Sequence, residues 1–114
     1  MRKIESQMNA AITAGGDWKS GNTAVVNADG ISVVLLHGNK IAEVGDTFLR
    51  LFDGGWQTVT TKSRLNAILQ VHGVAGEHIF QKKGEWFVRT VEGVTPQDSE
   101  GFQTIKFWDS MRLG

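Results

Sequence analysis

Thr23-Ala24-Val25-Val26-Asn27-Ala28-Asp29-Gly30-Ile31-Ser32-Val33-Val34-Leu35-Leu36-His37-Gly38-Asn39-Lys40-Ile41-Ala42-Glu43-Val44-Gly45-Asp46-Thr47-Phe48-Leu49-Arg50-Leu51-Phe52 is the stretch that decides the fold. β-Branched and aromatic residues fill it, and turn pairs interrupt it at Asp29-Gly30, Gly38-Asn39 and Gly45-Asp46. That rhythm predicts an antiparallel meander with strands over 23–28, 31–37, 40–44 and 47–52. Asp29-Gly30 is the best of the turns, because both residues tolerate the positive φ of a two-residue primed turn. The run over 31–36 is apolar on both faces of the pleat, which predicts a central strand covered on both sides with Leu35 in the core. In the last strand Leu49 and Leu51 share one face, while Phe48, Arg50 and Phe52 share the other.

Toward the N-terminus, Ile4, Met8, Ala11 and Ile12 recur at helical spacing and Gly15-Gly16 follows, so a short amphipathic helix precedes the sheet. Trp18, beyond the glycines, is placed to pack on that helix or on the sheet. Toward the C-terminus, Leu65, Ile68, Leu69 and His72 fall at i, i+3, i+4 and i+7, predicting a second helix at about 60–72 that ends at Gly73, with Leu69 in the core. Two further strands are expected over 78–82 and 85–91, joined through Lys83-Gly84, and a last one over 102–108. The stretch 92–100, with the only proline, reads as a loop. The fold class is therefore α+β: a single domain spanning 1–114, with a mainly antiparallel sheet of five to seven strands and two helices.

A chain of 114 residues supports one core, and 40% hydrophobic with 21% charged residues places it among ordinary globular domains. Its twelve basic and twelve acidic side chains leave no net charge, so any attraction to nucleic acid or anionic lipid must be local. The absence of cysteine rules out disulfide and thiolate chemistry. The N-terminus is charged without a following apolar run, and no segment approaches the roughly 18 apolar residues of a membrane span, so a soluble protein is expected.

The strongest chemical feature is the start of the second helix. There Thr60, Thr61, Lys62, Ser63 and Arg64 follow the break at Gly54-Gly55 and Trp56. Thr60 or Thr61 is a natural N-cap, which explains the hydroxyls without any ligand. Lys62 and Arg64, however, sit at the positive end of the helix dipole, where cations are favoured only beside an anion. Thr60, Thr61, Lys62, Ser63 and Arg64, with Trp56, are accordingly the candidate anion or nucleic-acid site.

Aromatic residues also stand beside cations at Trp18-Lys19, at Lys82-Lys83 with Trp86-Phe87, and at Lys106-Phe107-Trp108. Single-stranded nucleic-acid surfaces use such interleaving. Plain strand alternation gives it too, with the ring inward and the lysine outward. His37, His72 and His78 are not at metal-ligand spacing, and His72 falls near a helix C-terminus, where the dipole favours its charged form. Asp53 reads as a turn former. No nucleophile–base pair, paired carboxylates or phosphate-loop motif is present, so no catalytic residue, cofactor or metal is expected.

The blocks Trp18-Lys19-Ser20-Gly21-Asn22-Thr23, Leu36-His37-Gly38-Asn39-Lys40-Ile41-Ala42, Gly55-Trp56 with Thr60-Thr61-Lys62-Ser63-Arg64-Leu65-Asn66-Ala67, and Ile79-Phe80-Gln81-Lys82 with Trp86-Phe87-Val88 carry a resemblance. Over roughly residues 18 to 90 the chain resembles a family of small, functionally uncharacterised proteins of tailed bacteriophages, common among marine and cyanobacterial phages. The portion after Val91 matches less clearly. The resemblance implies action in the host bacterial cytoplasm, on host machinery, nucleic acid or a virion partner. Two functions follow as expectations. The first is a non-enzymatic accessory binding module that contacts nucleic acid or another anionic partner through 60–64. The alternative is a protein–protein interaction or assembly protein, a homo-oligomer or host-factor binder, whose surplus aromatics form the interface.

Overall fold

In the computed structural model, residues 1–91 and 101–114 are described. The predicted loop over 92–100 lies outside them. The order begins with α1 (Lys3–Ala14), then β1 (Trp18–Ser20), β2 (Thr23–Ala28), β3 (Ile31–Leu36), β4 (Asn39–Val44) and β5 (Leu49–Leu51). After these come α2 (Val59–His72), β6 (His78–Lys82), β7 (Glu85–Thr90), β8 (Gln103–Lys106) and β9 (Met111–Leu113). The α+β class stands, but the strands divide into two antiparallel sheets, β1-β2-β3-β4-β5-β9 and β6-β7-β8. β1 and β9 are additions to the predicted set. Each has three residues, too few for alternation to announce a strand.

Turn chemistry sets the meander. Asp29 and Gly30 have φ of 53° and 78°, matching the two-residue primed turn that suits strand twist. The next turn is His37-Gly38 rather than Gly38-Asn39, with φ of 52° and 78°, so Asn39 opens β4. A bulge at Val34/Leu35 shifts the β3–β4 register, leaving Ile41 as the extra residue between the Lys40 and Ala42 pairs.

Both helices pack on the inner face of the large sheet. There Met8 and Ile12 of α1 and Leu65, Ile68 and Leu69 of α2 meet Val25, Val34, Leu51 and Met111. Ile79, Trp86, Val88 and Phe107 of the small sheet and its following loop complete the same core. α2 also closes the edge of β6. The Asn66 amide donates to the Ile79 carbonyl at 2.9 Å and accepts from its N–H at 2.6 Å, as a neighbouring strand would.

Two core assignments change. β3 is central in strand order, yet only Ser32, Val34 and Leu36 are buried, and Ile31, Val33 and Leu35 are half-buried on the outer face. Leu35 is therefore outside the core, while Leu69 is fully inside it. Gly73 does end α2, but with φ −92° rather than in the left-handed region. Its lack of a side chain matters through space: a Cβ there would lie 2.7 Å from the Leu69 carbonyl and 2.8 Å from Glu77 Oε1.

Candidate functional site

β5 leaves the sheet at Leu51, and the chain turns at Asp53-Gly54-Gly55 before α2. Asp53 Oδ1 accepts from the Gly55 N–H at 2.8 Å, and the Asp53 carbonyl accepts from the Trp56 N–H at 3.2 Å. Gly54 and Gly55 have φ of 69° and 92°, conformations that side chains disfavour. The Asp53 N–H in turn donates to Asp109 Oδ1 at 3.0 Å, tying this turn to the loop between β8 and β9. Trp56 and Trp108 stand on the two tied loops, 75% and 55% exposed, and Val59, the first residue of α2, is 69% exposed. No sequence pattern linked Asp53 to Asp109, because the pairing of β5 with β9 that brings them together comes from two very short strands.

The N-cap of α2 is Thr58, not Thr60 or Thr61. Its Oγ1 accepts from the Thr61 N–H at 3.1 Å and its carbonyl accepts from the Lys62 N–H at 3.0 Å. Thr61, 3% exposed, meets Thr58 through a 2.8 Å contact between their hydroxyls. Thr58→Ala is expected to lower stability by about 1 kcal/mol, read as a shift in the chemical-denaturation midpoint. An effect confined to Thr61→Ala would reassign the cap.

The predicted cluster separates into two groups. Thr60, Thr61 and Trp56, with Thr58, His37 and Asp53, line a cleft of about 420 Å³ whose floor includes Leu36 and Ile41. Ser63 and Arg64 face away from it. Arg64 is 4% exposed and donates from Nη1 to Glu5 Oε2 at 2.8 Å, from Nε to Thr23 Oγ1 at 3.0 Å and from Nη2 to Asn22 Oδ1 at 3.3 Å. Ser63 Oγ donates to the same Glu5 oxygen at 2.6 Å. Glu5, 2% exposed, also accepts from the Arg2 N–H at 3.1 Å. The guanidinium is thus a structural cation fixing α2 to α1 and to β2, and Lys62, half-buried, is the cation of the first turn that remains. The structure does not bring Ser63 and Arg64 together with Trp56.

Burial alone would raise the Glu5 pKa. The Ser63 hydroxyl, the Arg2 N–H and the Arg64 guanidinium more than offset that effect and hold the carboxyl below its ordinary value. His72 goes the other way from the dipole expectation: burial lowers its pKa, and its Nε2 is buried with no hydrogen-bond partner among the described residues. It lines a larger cleft of about 500 Å³ between the C-terminal ends of the two helices and the turns at Asp29 and Asp46. No tryptophan or phenylalanine lines that cleft, and it holds none of the predicted site residues.

The other aromatic–basic pairs mostly follow strand alternation. Trp86 and Phe107 point inward and meet edge to face at 5.3 Å, while Lys106 turns out to Glu85 at 3.6 Å. Among the described residues no group of three His, Asp or Glu side chains is placed to hold a metal ion. No helix among them is long and apolar enough to cross a membrane.

A family model described as Kyanoviridae Gp96 protein matches residues 1–114, so the similarity runs through the portion after Val91 as well. No curated protein and no solved structure matches the chain.

Proposed function

We propose, from the premise that this chain belongs to the Kyanoviridae Gp96 protein family, a phage family, that it is a non-enzymatic binding module for a protein partner docked at the Trp56 corner. One observation carries the reading: Trp56, 75% exposed, lines the hydroxyl-bearing cleft at the start of α2. Trp108 extends the surface across the Asp53–Asp109 tie. Exposed tryptophans beside a pocket are what interface hot spots are made from. The alternative of an anion at this helix start has less support, because Arg64 is already committed to Glu5 and the two loops that carry the rings also carry Asp53 and Asp109. Those carboxylates favour a partner segment that pairs an apolar side chain with a lysine or arginine.

The test is capture from host lysate, with and without nuclease, using the wild type and Trp56→Ala. A partner retained through nuclease treatment and reduced at least tenfold by Trp56→Ala is the expected result. Trp56 is exposed, so the variant's thermal unfolding should stay close to wild type. Capture that Trp56→Ala leaves intact, or that nuclease abolishes, would remove this corner from the partner-binding role.

A further inference from the structure

We infer that the outer face of the three-stranded sheet binds single-stranded nucleic acid, with bases on Phe80 and Phe87 and phosphates on Lys82, Lys83 and Lys106. Alternation assigns the faces. Ile79, Trp86 and Val88 turn into the core, so Phe80 and Phe87 stand on the other side, half-buried. They are direct cross-strand partners with centroids 5.7 Å apart and planes 24° from parallel. The register then places Lys106 opposite Phe87, so one row across the sheet reads ring, ring, ammonium. Lys82 lies opposite Glu85, and Lys83 follows in the left-handed position of the turn.

The charges there are available. Lys106 meets Glu85 at 3.6 Å, but the two side chains are 69% and 55% exposed, and such a surface pair exchanges partners at little cost. Three lysines against Glu85 give this end of the sheet a positive local balance on a chain of zero net charge. Protein interfaces are depleted in lysine, whereas nucleic-acid surfaces combine phosphate-binding cations with rings that stack on bases. The ring separation exceeds the roughly 3.4 Å rise per nucleotide of a stacked duplex strand. It therefore suits the splayed bases of a single strand.

Fluorescence anisotropy with labelled 20-mers of oligo-dT and oligo-U, titrated over a series of salt concentrations, tests the proposal on the full chain. Wild type should bind both at low salt. Phe80→Leu with Phe87→Leu should weaken binding about tenfold or more without changing the salt slope, since stacking releases no counterions. Lys82→Gln with Lys106→Gln should flatten the logarithmic slope by about 0.7 per lost phosphate contact on a single strand.

Arg50→Gln with Arg112→Gln removes equal charge from the outer face of the large sheet, where those two residues are directly opposed, and should leave binding unchanged. No binding by wild type at low salt would overturn the proposal. So would equal losses from the lysine and arginine pairs, or displacement by polyglutamate as effective as by unlabelled oligo-dT. Circular dichroism of each variant should overlay that of wild type. If the phenylalanine pair does not fold, the lysine pair and its salt slope decide.

Discussion

Glu5→Gln is expected to lower stability by about 3–5 kcal/mol, the usual cost of leaving one member of a buried ion pair without its partner. Glu5 and Arg64 are 2% and 4% exposed, so water cannot replace the lost charge. Arg64 would keep its bonds to Thr23 and Asn22, which are neutral acceptors and do not balance a guanidinium. The measurement is chemical denaturation of wild type and variant in the same buffer. Replacing both residues together by methionine should cost much less than the single change, because no buried charge is then left over. A Glu5→Gln loss below about 1 kcal/mol would mean that the pair is open to solvent and that Arg64 is free to meet an external anion after all.

The same carboxylate fixes a direction for acid sensitivity. Its folded pKa lies below its ordinary 4.5, so the unfolded chain binds the proton more readily. Stability from Glu5 is present above about 4.5 and is lost as pH falls through the folded value. His72 acts in the same sense at higher pH. Burial depresses its pKa below 6.5, so its contribution is complete above that value and declines on acidification from there. Wild type should therefore lose stability in two stages on acidification, and Glu5→Gln should remove the lower one.

Much of this architecture was legible because it is written locally. Asp29-Gly30 fixes a two-residue turn through the backbone preferences of both residues, Gly84 does so after Lys83, and the strands on either side follow. The spacing of Leu65, Ile68 and Leu69 placed the buried stripe of α2. What could not be read depends on distant partners. Arg64 looked like a helix-start cation because its carboxylate stands 59 positions away on α1, and no local pattern announces that pairing. The division into two sheets arises because β6, β7 and β8 pair only with one another, and the docking of β9 beside β5 is a choice between sheet edges that the three residues Met111, Arg112 and Leu113 do not disclose. Trp56 kept its place in the candidate site because the glycine turn before it is a local feature.

Leu69→Ala and Leu35→Ala are expected to separate, although both sit in apolar runs that suggest equal burial. Leu69 is 0% exposed at the meeting of α2 with both sheets, and Ile68 and Leu65 on the same helix are equally enclosed. Truncation there removes the transfer energy of the side chain and leaves a cavity that packed neighbours cannot fill, about 2–5 kcal/mol. Leu35 is half-buried on the outer face, with Ala24 and Lys40 as its cross-strand partners. Water already reaches that side chain, so no closed cavity forms and the loss should stay near about 1 kcal/mol. Matched denaturation curves for the two variants decide the point. Equal large losses would show that another surface covers the outer face of β3 in solution, which would make that face an interface.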